Sequence, residues 1–306
     1  MRCLNPRTVG FQADGRTISW SQKSFSKEYS TFQLPCSKCI ECRLEYARQW
    51  AVRCVHEASM YEKNSFITLT YSDEHLKPRL DYRDFQLFAK KLRKSTNEKI
   101  GYFVTGEYGE LQKRPHWHAI IFNWSPGDAR PKYTNGRGDV VSSSTQLDTL
   151  WGKGICDAGS VTFESAGYCA RYAAKKLVHG KDDQHDYRPI SKKSSRQAIG
   201  KKWLETYWQD AFSYGYIILP DGKQTSIPRY YEKWLLQNHP EAWTDYVTRL
   251  KAERIAKANE REAREYNAWV EQSRLRKLPL IKKLQRRKII IEEKFKQLQK
   301  HLKGDI

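Results

Sequence analysis

Arg114-Pro115-His116-Trp117-His118-Ala119-Ile120-Ile121-Phe122 has the make-up of a strand, rich in aromatic and β-branched residues after a proline start. In an extended chain successive side chains point to opposite faces, so His116 and His118 share one face and Trp117 takes the other. Two imidazoles about 7 Å apart along a strand can converge on one divalent ion. Residues 101–107 form a second short apolar run, joined to residues 116–122 by the Gly- and charge-rich segment 108–115. That spacing predicts an antiparallel hairpin, which returns Glu107 alongside His116. A carboxylate added to two imidazoles makes a mixed nitrogen–oxygen set suited to Mg²⁺ or Mn²⁺, with positions open for a phosphate oxygen. Glu110 is the rival carboxylate, but it is out of phase with the histidines and falls in the turn. The plain alternative is a pair of structural histidines.

Working outward, residues 66–71 predict a central strand, and Phe85, Phe88, Ala89 and Leu92 are spaced as on a helix over 84–93. Helices are also expected over 41–61 and over 165–178, the latter stopped by Gly180. The first 35 or so residues are turn-rich, and residues 124–154 read as one long loop rich in Pro, Gly, Asn and Ser. Strands alternating loosely with helices predict an α+β fold with a mostly antiparallel central sheet flanked by helices. From residue 241 onward 18 Lys/Arg face 10 Asp/Glu with one Pro and one Gly. There Ile281, Leu284, Lys288, Ile291, Phe295, Leu298 and Leu302 step alternately by three and four, a heptad-like seam broken at Lys288. That seam serves either packing onto the chain's own domain or a short coiled coil. The organisation expected is an N-terminal segment with a Cys cluster and helix (1–60), a core (61–239) and a basic helical tail (240–306).

The segment Gly167-Tyr168-Cys169-Ala170-Arg171-Tyr172-Ala173-Ala174-Lys175-Lys176-Leu177 places Tyr168 and Tyr172 one helical turn apart on one face, about 6 Å from each other. Lys175 and Lys176 border that face. Two tyrosines and two lysines on a half-buried helix need no special role. Beside a metal pair they gain one. A phenol has a pKa of about 10 and is a weak nucleophile until activated. An ion polarising a phosphate and an ammonium beside the attack site would lower the barrier. Tyrosine attack leaves DNA held by its 5′ phosphate and frees a 3′ hydroxyl. A second tyrosine one turn away can reverse or transfer that link.

Composition agrees with such a substrate. Among 306 residues, 55 Lys/Arg against 35 Asp/Glu give a net charge of +20, and 10 Trp, 18 Tyr and 11 Phe offer faces for unpaired bases. A soluble basic surface with core aromatics is the bland explanation. No stretch approaches the roughly 20 apolar residues of a membrane span, and residues 1–10 hold no signal-like apolar run, so a cytosolic chain without a cleaved leader is expected. Seven cysteines, an odd number, argue against a secreted disulfide framework. Cys36, Cys39 and Cys42 form C-x₂-C-x₂-C, to which Cys3 or Cys54 could add a fourth ligand for structural Zn²⁺. An iron–sulfur cluster lacks its usual trailing Cys-Pro, and three reduced thiols remain the simple alternative. Cys54 fits a helix core, and Cys156 and Cys169 read as incidental. Lys192, Lys193, Lys201 and Lys202, with Arg196 between, form a basic run that could track a DNA backbone or simply face water. Thr68 and Thr70 could touch phosphate or serve strand propensity.

His116-Trp117-His118 resembles the histidine–hydrophobe–histidine signature of HUH endonucleases. Tyr168 and Tyr172, followed by Lys175 and Lys176, resemble the two-tyrosine replication initiators of microviruses, and residues 66–71 resemble the strand that comes first among their three motifs. Cys36-Ser37-Lys38-Cys39-Ile40-Glu41-Cys42-Arg43 and Arg48-Gln49-Trp50-Ala51-Val52-Arg53-Cys54 are similar to the gokushovirus branch. The likeness covers residues 35–234. It implies an HUH endonuclease domain with Glu107 in the third metal-ligand position. It also implies a rolling-circle initiator in the cytoplasm of an infected bacterium, acting on single-stranded and duplex origin DNA. Such an enzyme nicks the origin, stays attached through one tyrosine, leaves the 3′ end to a host polymerase and helicase, and rejoins the released strand. Oligomeric state is left open. Two competing readings are an HUH transposase and a non-enzymatic, zinc-bearing single-strand binding or packaging protein.

Overall fold

A computed structural model describes residues 3–109, 112–136, 138–175, 190–194 and 197–304, without the side chains of 172–175 and 298–304. The chain divides into two compact units. One comprises the residues up to Tyr46 together with Arg264–Gly304, and the other Ala47–Ala263. In the first unit β1 (Arg7–Phe11) pairs antiparallel with β2 (Ile18–Ser19) and with β3 (Phe32–Leu34). Val9 is buried beneath this sheet, and the Phe11 ring meets those of Phe32 and Tyr29 at 5.2 and 6.0 Å. These strands lie where composition predicts only turns. They are too short to show an alternating pattern. The boundary between the units falls inside α1 (Ile40–Ala58).

The second unit is built on a seven-stranded sheet in which every pairing is antiparallel. Its strands in chain order are β4 (Asn64–Leu69), β5 (Gly101–Tyr108), β6 (Pro115–Phe122), β7 (Arg130–Thr134), β8 (Val140–Ser143), β9 (Cys156–Gly159) and β10 (Ile190–Lys193). In space they lie in the order β10-β5-β6-β4-β9-β8-β7. The hairpin expected around Glu107 and His116 is therefore β5–β6, at the heart of the sheet. Helices flank it: α2 (Tyr82–Lys94), α3 (Thr145–Trp151) and α4 (Phe163–Lys175), with α1. The fold is thus α+β with a large antiparallel sheet, as the sequence predicts.

Strand alternation divides the sheet's faces between two cores. Ile67, Leu69, Val104, Trp117, Ala119 and Ile121 point to one face and pack with Phe85, Phe88 and Leu92 of α2 and Leu147 and Trp151 of α3. Phe103, Ile120 and Phe122 point to the other and pack with Trp50, Ala51 and Cys54 of α1 and Ala166, Cys169 and Ala170 of α4. Each such large apolar side chain, fully buried, stabilises the fold by about 1.5–3 kcal/mol.

The long loop expected over 124–154 is corrected by β7, β8 and α3. Every residue of β7 is exposed, so neither face carries the alternating signal by which a strand is recognised. Helix α3 is only seven residues long, too short for a periodic pattern. Its ends are explicit, however: Ser144 Oγ accepts from the Leu147 amide at 3.0 Å, and Gly152 closes it at φ 64°.

A third apolar cluster joins Val52 of α1 to α5 (Lys201–Tyr214) and α6 (Arg229–Asn238) through Leu204, Phe212, Tyr231 and Leu235, with Ile217 of β11 (Ile217–Ile218), which pairs with β12 (Gln224–Thr225). The tail is helical, in α7 (Pro240–Asp245), α8 (Ala252–Leu275) and α9 (Lys283–Gly304). Along the heptad-like seam Ile281 precedes α9, Leu284 is half exposed, and Ile291 and Phe295 are half-buried, while the side chains of Leu298 and Leu302 lie outside the described residues. Among the described residues no helix is long and apolar enough to cross a membrane.

Candidate metal centre and tyrosine helix

Register assembles the site. Across β5–β6 Glu107 lies opposite His116 and Thr105 opposite His118, and across β4–β6 Thr68 lies opposite His118. All five residues share the pleat parity of the α1/α4 face. Glu107 Oε1 sits 3.0 Å from His116 Nε2 and 3.1 Å from His118 Nε2. One atom from each of Glu107, His116 and His118 lies within 4.8 Å of the others. Glu107 and His118 are buried and His116 is partly open, so the group is reachable from one side.

The other imidazole nitrogens fix which atoms face the centre. His116 Nδ1–H donates to the Arg114 carbonyl oxygen at 3.2 Å, which leaves Nε2 of a neutral ring with only a lone pair. His118 Nδ1 is held 3.0 Å from Thr68 Oγ1. A lone pair on His116 Nε2 would then meet the Glu107 carboxylate acceptor to acceptor at 3.0 Å, which is repulsive unless positive charge lies between them. Protonated imidazoles can supply that charge, and so can a divalent cation with outer partners already orienting its ligands. Burial pushes the Glu107 carboxyl up, but the hydrogen bonds and charge of His116 and His118 outweigh it and hold the group below the usual carboxylate range. The residues fit a cation.

Arg114 fixes the entry of β6. Its guanidinium donates to the Tyr71 carbonyl at 2.8 Å and pairs with Asp73 at 2.6 Å. On the far side of the strand the Trp117 indole N–H donates to Tyr71 Oη at 2.9 Å, and that hydroxyl donates to buried Asp84 at 3.1 Å. Thus the residue between the two histidines is locked into the opposite core.

Helix α4 lies over this face. Thr105 Oγ1 donates to the Cys169 carbonyl at 3.0 Å, tying the helix to β5, and small Ala166 and Ala170 let it approach closely. Half-buried Tyr168 is thereby set edge-on to the His118 ring, centroids 5.0 Å apart, and edge-on to Phe66 at 6.2 Å. Phe66 in turn stacks on His118 at 5.8 Å.

The structure brings Glu107, His116, His118, Thr68 and Tyr168 together. The backbone of Tyr172 and Lys175 is helical, but their side chains, with Lys176, Glu110 and Arg196 entire, lie outside the described residues. Thr70 Oγ1 donates to the Ile155 carbonyl at 2.6 Å. Lys192 and Lys193 lie on edge strand β10, with their ammonium groups 5.8 Å from the Tyr82 ring and 4.7 Å from the Trp50 ring. Lys201 pairs with Glu205 at 3.2 Å, and Lys202 lies 5.0 Å from the Tyr61 ring. Cys3, Cys36, Cys39 and Cys42 form a second group in the first unit, whereas Cys54 is fully buried in the α1/α4 core. Cys156 and Cys169 are likewise buried core thiols. Sequence reasoning missed Thr105, Phe66 and Arg114. The first two share strand parity with Glu107 and His118, so alternation alone would have placed them on the site's face.

Comparison with known proteins supplies an independent line. The sequence model of a family described as replication-associated proteins of the ORF2 class matches residues 64–177, a span that opens with β4 and ends just past α4. Replication-associated protein VP4 of Bdellovibrio phage phiMH2K is 45% identical over 316 aligned positions, covering 99% of this chain and 100% of that protein. Replication-associated protein ORF4 of Chlamydia phage 1 is 34% identical over 239 positions, 74% of this chain and 59% of the relative. Replication-associated protein ORF2 of Spiroplasma virus 4 is 29% identical over 282 positions, 84% and 87%. No solved structure matches. The metal-ligand triad and the tyrosine helix both fall inside the matched span, and near-complete coverage extends the likeness to the tail. The chain belongs to the family of phage replication-associated proteins, the Rep proteins of microviruses.

Proposed function

We propose that this chain initiates replication of circular phage DNA by nicking one strand at the origin through a tyrosine nucleophile, as an HUH endonuclease acting in the cytoplasm of the infected bacterium. The observation that carries the reading is the Tyr168 ring lying 5.0 Å from His118, one member of a buried triad of metal-type ligands. The nitrogen–oxygen donor set suits Mg²⁺ or Mn²⁺, which when bound would draw charge from a non-bridging phosphate oxygen.

The remaining chemistry belongs to the chain. Tyr168, or Tyr172 one turn on, contributes its phenolic oxygen to a new bond with phosphorus as the bond from phosphorus to the 3′ oxygen breaks. The phenolic proton passes to solvent, and the departing 3′ oxygen takes one up. Lys175 and Lys176 place ammonium charge beside the reacting oxygens. The 5′ phosphate stays on the tyrosine, and the 3′ hydroxyl is left for a host polymerase, with a host helicase opening the duplex. After one circuit the second tyrosine cuts and the released strand is rejoined. A net charge of +20 supports a polyanionic substrate, with Thr70, Lys192, Lys193, Lys201 and Lys202 as candidate strand contacts.

The test is a covalent adduct. A single-stranded oligonucleotide spanning the phage origin, incubated with the chain and Mn²⁺, is expected to give a protein–DNA band that survives denaturing electrophoresis. EDTA or the Tyr168→Phe/Tyr172→Phe double substitution should abolish it. An adduct that persists in the double variant refutes the assigned nucleophiles. Binding that ignores EDTA and yields no adduct supports the strand-binding alternative, and cutting confined to hairpin ends supports a transposase.

A further inference from the structure

We infer that the first unit holds a structural zinc ion on four cysteines, Cys3, Cys36, Cys39 and Cys42, chemically distinct from the centre at Glu107, His116 and His118. The four sulfurs lie within 4.8 Å of one another, and all four residues are free thiols. A zinc–thiolate bond of about 2.3 Å in a tetrahedral site places neighbouring sulfurs about 3.8 Å apart. Cys3 Sγ and Cys39 Sγ are separated by 3.9 Å, far beyond a sulfur–sulfur bond.

The backbone is folded for thiolates. Ser37 takes a left-handed φ of 58°, which turns the chain so that the amides of Lys38 and Cys39 donate to Cys36 Sγ at 3.5 and 3.3 Å. The Cys36 amide donates to Cys3 Sγ at 3.2 Å, and the Leu4 amide to Cys39 Sγ at 3.5 Å. Sulfur is a weak acceptor as a thiol and a much stronger one as a thiolate, so N–H groups converging on three sulfurs match anionic ligands. Cys39 and Cys42 flank the first residues of α1, where the positive end of the helix dipole favours negative charge. Four thiolates around one soft-to-borderline cation select Zn²⁺ over Mg²⁺ or Mn²⁺, which the nitrogen–oxygen triad suits.

The need for such a clamp follows from size. The small sheet of β1, β2 and β3 buries little besides Val9 and Leu4. The ion closes a loop from Cys3 to Cys36 and pins it to the start of α1, the device small domains use where apolar burial is insufficient.

The test uses the full chain purified without chelators or a metal-binding tag. Elemental analysis is expected to find one zinc per chain, retained in His116→Ala/His118→Ala and lost in Cys36→Ser/Cys39→Ser. Because the cysteine variant could simply misfold, Co²⁺ exchange into the native chain provides a second reading. Thiolate-to-cobalt charge-transfer absorption with intense tetrahedral visible bands is expected. Absence of zinc, zinc that follows the histidines, cobalt spectra without sulfur bands, or iron with inorganic sulfide would each overturn the assignment. None of these readings depends on DNA cleavage.

Discussion

Gly106 stands beside Trp117 across the β5–β6 ladder, and replacing it by alanine should both destabilise the sheet and disturb the metal centre. A Cβ at that position would lie 2.5, 2.7 and 2.9 Å from Cζ3, Cε3 and Cη2 of the indole. Carbon atoms rest about 3.5–4.0 Å apart, so the ring must retreat by roughly 1 Å. It has no room. Trp117 is fully buried, with the rings of Phe85 and Tyr82 at 5.8 and 6.2 Å and its N–H committed to Tyr71. Overpacking costs about 1–3 kcal/mol, and weakening that hydrogen bond adds about 0.5–1.5 kcal/mol. Relief from glycine's larger unfolded-state entropy returns about 0.5–1 kcal/mol. The net expectation is a loss of about 2 kcal/mol, or roughly 4–8 °C in Tm for a domain of this size. Calorimetry on Gly106→Ala, Trp117→Phe and the double variant measures the coupling. With the indole's six-membered ring gone, the alanine should cost little. An equal loss in both backgrounds, or none in either, would refute the contact as the reason for glycine. Manganese affinity should fall together with stability, because the displaced indole lies between His116 and His118.

Two further outcomes follow from single interactions. Thr68→Val removes the oxygen at 3.0 Å from His118 Nδ1 and should weaken Mn²⁺ binding about 10–100-fold in titration calorimetry with little change in Tm; unchanged affinity would deny Thr68 an orienting role. Burial pushes His56 down from 6.5 to about 3, beneath the Trp203 ring at 3.5 Å and beside Tyr231 Oη at 3.0 Å. The folded state resists protonation while the unfolded chain accepts it, so stability is full above pH 6.5 and drains as pH falls from there towards 3, by roughly 2 kcal/mol at pH 5. Denaturant melts at pH 8 and pH 5 should show that slope in the native chain and lose it in His56→Gln; an identical slope in both would assign it elsewhere.

How much could be read in advance depends on how locally each feature is encoded. The β5–β6 hairpin and the shared face of Glu107, His116 and His118 follow from a period of two and one turn, and both were legible. So was α2, whose Phe85, Phe88 and Leu92 repeat on one side. Strand β7 was not, because an edge strand solvated on both faces carries no hydrophobic period. Strand β10 shows the same limit in another form, since Ser191, Lys192 and Lys193 pair with Thr105, Val104 and Phe103 from far along the chain. The Cys3 partnership needed the small N-terminal sheet to bring residue 3 back to residue 36, and spacing alone left Cys54 equally eligible. Tyr168 against His118 also needed tertiary structure: helical spacing orients a tyrosine on α4 but does not say which sheet face α4 covers.

The arrangement of the two faces explains why a polar centre can sit within so well packed a sheet. Strand alternation commits Trp117, Ala119 and Ile121 wholly to the α2/α3 core, so the backbone of β6 is anchored without help from its histidines. His116 and His118 on the other side are then free to be placed by acceptors rather than by packing: a carbonyl for one Nδ1, a threonine oxygen for the other, and one carboxylate oxygen for both Nε2 atoms. An apolar environment would drive three such acceptors apart unless a cation stood among them. The same sheet thus separates the cost of holding a polar ligand set from the packing that stabilises the fold. Substitutions in the triad should therefore cost metal binding far more than they cost folding, the reverse of the order expected for structural histidines.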